Sequence, residues 1–356
     1  MSQISFARLL SIVMLTLAVR LASASTITYE VGTCKAHIPT YKSISAALAA
    51  TPAPNVVQVC PGTYNEQVEI TQPVTLEGLS AANSDQVIIA VPGTGLAENV
   101  PNGEVQLWVN NVVGAVTITG ITVDAAGNEV TNGTRVIGIY YQNSSGTVNR
   151  VTTRNQRGGS VPTGWGIFVE GGTSNPSVTV ENSSVRNADI AIVTGTDSSS
   201  SELTAIIKGN DVQPLNDDNT YGIYIEQGAT TTVAGNFVSG AGAGIVTLEG
   251  SAGSVSGNTL IGNGIGVSSE GDRVPITSNK ILNSTTRGLD IDSVAAIHSN
   301  IITNSPIGIE FDCIANGNVH ANVINDAATA LSRVPLGVTT TNSYFNVGAV
   351  RTTGGC

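Results

Sequence analysis

The chain has 356 residues and a formal net charge of −11 at pH 7, with only 12% charged and 4% aromatic residues. Nucleic acids bind proteins through a basic face, so we expect no nucleic-acid partner for so acidic a chain. Apolar residues make up 41% of the chain, which also contains 40 glycines. This composition excludes a disordered protein and indicates a core of small aliphatic side chains.

The N-terminal segment 1–24 has the pattern of a secretory signal peptide. Arg8 ends a short polar region, residues 9–19 are apolar, and residues 22–24 are the small residues that a signal peptidase needs. A membrane-spanning helix requires about 20 apolar residues, more than this run supplies. We therefore expect cleavage, no membrane insertion, an extracellular or periplasmic location, and a mature domain over 25–356.

Residues 41–50 have the pattern of a short helix that precedes the first strand. Ile44, Ala47 and Leu48 fall on one side of this helix, and the following run at 56–60 is apolar and strand-like. A stack of strands has an open end that must be covered. We predict an N-terminal cap over 25–55 that contains this helix.

A repeat of about 22 residues is the main signal in the rest of the chain. A Gly-apolar pair recurs in it, as in GIYI at 222 and GLDI at 288. Short alternating runs bounded by turn residues are typical of strands, whereas helical repeats need about 33 residues. We predict an all-β, single-stranded, right-handed parallel β-helix with coils over 56–326 and a tail over 327–356 that lies along the last coil. Stacked asparagines should form a ladder at one turn: Asn210, Asn236, Asn258, Asn279, Asn300 and Asn322.

Four cysteines lie towards the two ends of the repeat region: Cys34, Cys60, Cys313 and Cys356. An even number of cysteines in an exported chain indicates disulfides, and four cysteines allow three pairings. We favour Cys34–Cys60 with Cys313–Cys356, because these bonds would fasten each end of an elongated molecule. The cysteine spacings lack a CxxC motif, so a metal site is the weaker interpretation.

The stretches TYKSISAALAA at 40–50 and VVQVCPGTYNEQVEI at 56–70 resemble the start of pectin methylesterases and other pectin-lyase-like proteins. The later repeats resemble those of NosD-like, carbohydrate-binding-and-sugar-hydrolase domains. The resemblance covers 27–326 and implies a right-handed parallel β-helix. It does not imply an activity, because the catalytic motifs of pectin methylesterases, polygalacturonases, alginate epimerases and pectate lyases are missing. The matching residues belong to a turn: Pro61, Gly62, Thr63, Tyr64 and Glu66.

Two related stretches, GLDID at 288–292 and GIEFD at 308–312, place acids on the outer face of one sheet, because side chains alternate along a strand. We extend these two outward positions along the repeat as two columns. The predicted first column is Tyr140, Phe168, Ala191, Tyr224, Val246, Gly266, Asp290 and Glu310. The predicted second column is Gln142, Glu170, Val193, Glu226, a position near Glu249, Ser268, Asp292 and Asp312. Aromatic residues would then lie on one side of a coil that has no large side chain on its outer face, at Gly266 and Ser268. The four acids would lie on the other side of this coil.

Like charges about 5 Å apart repel by roughly 1–3 kcal/mol per pair, and Asp is a poor strand residue, so the four acids need an explanation. A Ca²⁺ ion could bind them, or one protonated carboxyl could act beside an ionised one, as in sugar hydrolysis. An exposed strip that water and salt screen is the third interpretation. We predict Asp290, Asp292, Glu310 and Asp312 as catalytic or Ca²⁺-binding residues. Aromatic side chains favour carbohydrate binding, and we predict substrate contacts at Tyr140, Phe168, Tyr224, Glu226 and Arg287.

His298 and His320 each precede a ladder asparagine by two residues, so they should stack on neighbouring coils. Such a pair could ligate a transition metal. A structural or solvent-exposed pair is the interpretation that we prefer. These histidines should lie on a different sheet from the acids, so a single site would not contain both groups.

The sequence leaves two hypotheses for function. The first is an exported protein that binds or processes extracellular polysaccharide, of the lyase or glycoside hydrolase class if it is an enzyme. The second is a non-catalytic structural or adhesive protein of the cell surface. Long connections that border the acids would favour an enzyme, whereas a flat, open face near Gly266 would argue against one.

Overall fold

The computed structural model describes residues 25–79, 84–128, 134–158, 162–197, 201–270, 274–292, 296–312, 315 and 317–352. Over these residues the chain forms stacked coils that pair through parallel strands. Each complete coil contributes one strand to each of three sheets, which we call A, B and C in chain order. The predicted all-β parallel β-helix is confirmed.

Sheet A contains the first strand of each coil: β1 (Thr28–Val31), β3 (Val56–Val59), β6 (Val74–Gly78), β9 (Ala115–Thr119), β12 (Ser145–Asn149), β15 (Ser177–Glu181), β18 (Leu203–Lys208), β21 (Ala229–Ala234), β24 (Ala252–Ser256), β27 (Ile276–Thr277) and β30 (Ile297–His298). Sheet B contains the second strands: β4 (Gly62–Asn65), β7 (Val87–Ala90), β10 (Thr122–Asp124), β13 (Thr152–Arg154), β16 (Ser184–Arg186), β19 (Asp211–Gln213), β22 (Phe237–Ser239), β25 (Thr259–Ile261), β28 (Lys280–Leu282) and β31 (Ile301–Thr303).

Sheet C contains the third strands: β5 (Val68–Ile70), β8 (Gly103–Asn110), β11 (Arg135–Gln142), β14 (Gly164–Gly171), β17 (Ile190–Thr196), β20 (Tyr221–Ile225), β23 (Ala243–Thr247), β26 (Ile265–Ser269), β29 (Arg287–Ile291) and β32 (Ile307–Phe311). Two longer strands complete the stack, β33 (Gly317–Ser332) and β34 (Val338–Arg351). Strand β33 pairs with the last strand of all three sheets, and β34 pairs along β33.

The core is a stack of aliphatic residues, because alternate side chains of every strand point inward. In β29, for example, Leu289 is fully buried and Ile291 is 1% exposed. Equivalent residues of successive coils pair directly, as do Val233 with Val255 and Ile276 with Ile297. A core of Val, Ile and Leu explains how the chain buries so much apolar surface with so few aromatic residues.

An asparagine ladder occupies the turn between sheets A and B, as predicted. The Asn258 Oδ1 atom accepts from the backbone nitrogen and the Nδ2 atom of Asn236, at 2.9 and 3.0 Å. The Asn236 Nδ2 atom also donates to the carbonyl of Ile207, at 2.8 Å. The same pattern continues one coil beyond the predicted ladder, where Asn322 donates to Asn342. The ladder therefore satisfies buried backbone groups and is structural.

The recurring Gly-apolar pair marks a position at which neighbouring coils approach closely. A Cβ atom on Gly266 would lie 2.4 Å from the carbonyl oxygen of Gly288, and one on Gly288 would lie 2.7 Å from that of Gly308. No side chain fits at such distances, so these coils require glycine for backbone packing.

The only α-helix of the described residues is α1 (Ile44–Leu48), and it is the predicted N-terminal cap. Its buried residues are Ile44, Ala47 and Leu48, as its spacing predicts. The Glu66 carboxylate accepts from the backbone nitrogens of Ile44 and Ser45, at 2.8 and 3.0 Å. The glutamate of the PGTYNE turn thus satisfies the start of the helix, which is a structural role.

A disulfide joins Cys34 to Cys60 across the first coil, with a Cα–Cα distance of 5.7 Å. This half of the predicted pairing is confirmed. Cys313 and Cys356 lie outside the described residues, as does the predicted signal peptide 1–24. No helix within the described part of the chain is long and apolar enough to cross a membrane.

Candidate functional site

Strand pairing fixes the register of the outer face of sheet C, which carries three columns of side chains. The first column is Glu69, Trp108, Tyr140, Phe168, Val193, Tyr224, Val246, Ser268, Asp290 and Glu310. The second column is Asn110, Gln142, Glu170, Gly195, Glu226, Leu248, Glu270, Asp292 and Asp312. A third column precedes them along the strands: Val105, Ile137, Trp165, Ile190, Tyr221, Ala243, Ile265, Arg287 and Ile307.

The predicted columns were wrong at two coils. Ala191 and Gly266 lie in the close-packed glycine position, so Val193 and Ser268 take their places in the first column. The sequence alignment was two residues early in both coils. In the second column, Gly195 replaces Val193, Glu270 replaces Ser268, and the position near Glu249 is Leu248. The coil that was expected to place only Gly266 and Ser268 on the outer face therefore carries Ser268 and Glu270 there.

The aromatic half of this face is the cluster of aromatic and aliphatic residues named at the end of this paragraph. It is buried although it points outward. Tyr140 is 4% exposed, Phe168 5% and Trp165 7%. The Tyr140 and Phe168 rings stack with centroids 4.8 Å apart, and Trp165 meets Phe168 edge-on. The sequence analysis had predicted substrate contacts at Tyr140 and Phe168. Because both rings are buried, neither offers a free face to a sugar. The cluster comprises Val105, Ile137, Tyr140, Trp165, Phe168, Ile190 and Val193.

Long connections lead from sheet B into the strands of the aromatic half. They span 91–102, 125–134 and 155–163, of which 129–133 and 159–161 lie outside the described residues, and Val100 from the first of them packs on the cluster. Farther along, the corresponding connections shorten to 262–264 and 283–286. The part of the face beyond β20 is therefore open on this side.

A pair of carboxyl groups lies at the edge of the aromatic half. The Tyr140 hydroxyl donates to Glu170, and the Glu226 carboxylate occupies the space beside Gly195, where a Cβ atom would lie 2.3 Å from its Oε2 atom. Burial raises the pKa of both Glu170 and Glu226, and the Arg135 guanidinium opposes this effect. Glu226 was a predicted site residue; Glu170 was in the predicted column but was not chosen.

The acidic half of the face consists of Glu270, Asp290, Asp292, Glu310 and Asp312. Arg287 lies between two of these acids, 2.8 Å from Asp290 and 3.0 Å from Glu310. Arg333, which the sequence analysis did not select, lies 3.7 Å from both Glu310 and Asp312. The arginines therefore neutralise much of the repulsion, and Arg287 is engaged within the protein.

Asp292 differs from the other acids of this half. Within the described residues its carboxylate has no hydrogen bond or ion pair, although it is half-buried. Burial raises its pKa to about 6, with further increases from the charges of Asp290, Asp312 and Glu270 and an opposing effect from Arg287. Asp292 can therefore exchange a proton near neutral pH, as a general acid or base must.

Tyr221 and Tyr224 provide the accessible aromatic surface. Both are half-buried, and their ring centroids are 5.1 Å apart. Burial raises the pKa of Tyr224, and the charges of Glu226 and Glu270 raise it further, so both acids lie close to this ring. The sequence analysis missed Tyr221 and Glu270, although aligning Gly266 with Gly288 would have placed Glu270 in register with Asp292.

The metal predictions have little geometric support. Within the described part of the chain, the only group of three potential ligands with atoms within 4.8 Å of one another is Glu30, Cys34 and Cys60. Its cysteines form the disulfide, so their sulfurs are not thiolate ligands. A Ca²⁺ ion at Asp290, Asp292, Glu310 and Asp312 stays a prediction.

His298 and His320 stack on neighbouring coils of sheet A, with ring centroids 5.0 Å apart. Their predicted stacking and their separation from the acids are confirmed. We therefore exclude them from the sheet C site, which we define as Tyr221, Tyr224, Glu226, Glu270, Arg287, Asp290 and Asp292.

Comparison with known proteins supports the fold. The family model described as "Right handed beta helix region" matches residues 165–328, which agrees with the predicted handedness. No curated protein matches the chain.

Several solved structures are similar to this chain at low identity. The Dettilon tailspike protein is 13% identical with a TM-score of 0.46, over 82% of this chain and 61% of its own. The catalytic domain of a GH87 alpha-1,3-glucanase bound to nigerose is 15% identical with a TM-score of 0.48, over 90% and 69%. An alginate lyase from Paenibacillus sp. str. FPU-7 is 15% identical with a TM-score of 0.42, over 92% and 97%. The chain thus spans less than two thirds of the tailspike protein.

Proposed function

We propose that this right-handed parallel β-helix protein is exported and binds a polysaccharide at the sheet C site. The observation that supports this function is the order in which side chains follow one another along the open face. The Tyr221–Tyr224 pair on β20 is followed by Glu270 after β26 and by the protonatable Asp292 after β29. Successive coils are about 4.8 Å apart, so these groups extend along the axis over a length suited to a chain of sugars.

The chemistry of these groups matches that of a carbohydrate. The C–H face of a sugar ring packs on an aromatic ring, and sugar hydroxyls donate hydrogen bonds to carboxylates. The face beyond β20, which is open on the side of sheet B, gives a long polymer access to the site. The Cys34–Cys60 disulfide supports an oxidising compartment and hence export.

Hydrolysis of the bound glycan is a second candidate function, and the raised pKa of Asp292 favours it. Glycoside hydrolases use one protonated and one ionised carboxyl group. Asp292 would donate a proton to the leaving oxygen, and the ion-paired Asp290 on the same coil would act as the second carboxylate. The connections from sheet B to sheet C beside the acidic half are short and leave it open on that side, and for this reason we rank binding above hydrolysis.

The mature protein should first be titrated with a panel of neutral and acidic polysaccharides, with and without Ca²⁺. We expect Tyr224→Ala to weaken binding to the preferred glycan up to about tenfold, because one aromatic contact contributes about 0.5–1.5 kcal/mol. Phe237→Ala is the matched control, since Phe237 is an exposed aromatic residue on sheet B. If the wild-type protein binds no glycan, the structural or adhesive hypothesis replaces this one.

Release of reducing ends tests the second function separately. Asp292→Asn keeps the shape of the side chain but cannot donate the proton, so it should retain binding and abolish product release. A wild-type protein that binds glycan without releasing any product would refute hydrolysis and leave binding intact.

A further inference from the structure

Glu30 is an acidic residue on β1 that the first coil buries completely, at 0% exposure. Its Oε1 atom accepts from the backbone nitrogens of Cys34 and Lys35, at 2.7 and 2.6 Å, as the chain turns back over the strand. Its Oε2 atom has no hydrogen-bond partner within the described residues. The ammonium group of Lys35 donates to Gln58 instead, at 2.9 Å. A buried carboxylate is costly unless its oxygens are satisfied, so the backbone contacts explain only one half of this group.

The Cys34–Cys60 disulfide lies against this carboxylate. The Cys60 Sγ atom is 2.8 Å from the Glu30 Oε1 atom and 3.1 Å from the backbone nitrogen of Cys34. Gly32 permits this approach, since its φ is 95° and a Cβ atom there would lie 2.8 Å from the Cys60 Cβ atom. One ligand atom from each of Glu30, Cys34 and Cys60 lies within 4.8 Å of the other two. Cys60 is 3% exposed whereas Cys34 is exposed, so a reductant reaches the disulfide from the side of Cys34.

These three groups have the chemistry of a zinc site once the disulfide is reduced. Zinc binds thiolates at about 2.3 Å and carboxylates at about 2.0–2.2 Å in a tetrahedral arrangement. The ligand atoms of such a site are about 3–4 Å apart, so the three groups need only small side-chain movements to surround an ion. Calcium and magnesium take oxygen ligands, whereas thiolates suit zinc. The exposed side at Cys34 leaves the fourth coordination position to water.

We propose that Glu30, Cys34 and Cys60 form a zinc site in the reduced protein, where the metal replaces the disulfide as the cross-link of the first coil. A small thiol supplies the electrons: two thiol molecules are oxidised to one disulfide, and the Cys34–Cys60 bond is reduced to two thiols. Zn²⁺ then displaces both thiol protons and binds the two thiolates and the Oε2 atom of Glu30. Reoxidation of the cysteines releases the ion. The proposal does not depend on the function of the sheet C site.

Titration with Co²⁺, a spectroscopic substitute for Zn²⁺, tests the thiolate ligands in the mature protein after the reductant has been removed. The background is Cys313→Ser with Cys356→Ser, so that no other cysteine contributes. We expect the reduced protein to show a thiolate-to-cobalt charge-transfer absorption that Zn²⁺ abolishes, and the oxidised protein to show none. Absence of this absorption from the reduced protein would overturn the proposal, and so would equal affinity of the two forms for Zn²⁺.

Glu30→Gln is the decisive variant, because Gln keeps an oxygen that accepts from the backbone nitrogens but removes the carboxylate ligand. We expect the reduced variant to bind Zn²⁺ at least about tenfold more weakly than the unsubstituted reduced protein. Glu77→Gln is the matched control, since Glu77 lies two coils along in the same outward column of sheet A, after Gln58. Its affinity for Zn²⁺ should be unchanged. Equal affinities in the two variants would contradict the role of Glu30 as a ligand.

Thermal melting extends the test to a first coil that reduction has loosened. A metal that binds the folded site stabilises the fold, so Zn²⁺ should raise the melting temperature of the reduced protein and leave that of the oxidised protein unchanged. A chelator should reverse the rise. A reduced protein whose melting temperature does not respond to Zn²⁺ would contradict the proposal. Tyr224→Ala should keep the response to Zn²⁺, so failure of this site and failure of the sheet C site are distinguishable.

Discussion

The aromatic and acidic halves of the sheet C face have the same backbone register but opposite environments. In the first column, Phe168 is 5% exposed in the aromatic half, while Asp290 in the acidic half remains half-buried beside solvent. The connections that lead into these strands are long in the aromatic half and short in the acidic half, and Val100 of one long connection packs on the aromatic cluster. The repeat thus sets where a side chain points, while the exposure of that side chain depends on what packs over it.

The same difference determines how each half accommodates its carboxyl groups. At the edge of the aromatic half, Glu170 has a neutral partner in the Tyr140 hydroxyl, and burial raises the pKa of Glu170. In the acidic half, Arg287 pairs with Asp290 and Glu310. The intervening tyrosines are the point where an apolar contact and charged groups are both accessible, and for this reason we place glycan binding there.

The largest effect that we expect is from Phe168→Ala in the aromatic half. Removing a buried aromatic ring destabilises a protein by about 3–5 kcal/mol, through lost burial and the cavity left behind. Urea unfolding should show this loss, whereas Phe237→Ala on the exposed face of sheet B should cost less than about 1 kcal/mol. A loss below about 1 kcal/mol for Phe168→Ala would mean that the connections do not cover this half and that Phe168 is a free surface for sugars.

Much of the fold could be predicted from the sequence, because the repeat encodes it directly. Asn at one turn and glycine at a close approach recur in successive coils and are visible in the sequence, and Ile44, Ala47 and Leu48 likewise revealed the cap. The disulfide Cys34–Cys60 belongs to the pairing that we favoured, among three possible ones, from the positions of the cysteines. These features are local or periodic, and sequence patterns report such features well.

The environment of the site could not be predicted in the same way. The burial of Tyr140 and Phe168 depends on irregular connections, whose paths have no periodic signal. Arg333 meets Glu310 and Asp312 from a later coil, a contact that no spacing revealed. The missed Glu270 is different. The two glycines at 264 and 266 offered two alignments, and only the strand register, which pairs Val267 with Leu289, decides between them.

A smaller effect should follow from Arg287→Gln in the acidic half. This change leaves the half-buried Asp290 without its cation and the buried Glu310 with only the more distant Arg333, and we expect a loss of about 1–3 kcal/mol at pH 7. Arg186→Gln is the matched control, because Arg186 and its partner Asp211 are both exposed and such pairs contribute less than about 1 kcal/mol. Equal losses in the two variants would show that the acidic half is as fully solvated as an ordinary surface.

The smallest effect concerns Asp292 and the dependence of stability on pH. The pKa of Asp292 is raised to about 6 in the folded protein, whereas an unfolded Asp titrates near about 3.9. The folded chain therefore holds the proton more tightly, and this contribution to stability is complete below about pH 4 and disappears as the pH rises through 6.

Asp292→Asn removes the ionisation, so its melting temperature should exceed that of the wild type at pH 7 and match it at pH 4. The exposed Asp218→Asn should not alter the profile between these values. If Asp292→Asn and the wild type had parallel melting profiles from pH 4 to pH 7, Asp292 would be as well solvated as Asp218. The acidic half would then lack the protonatable group that distinguishes it from a screened strip of charge.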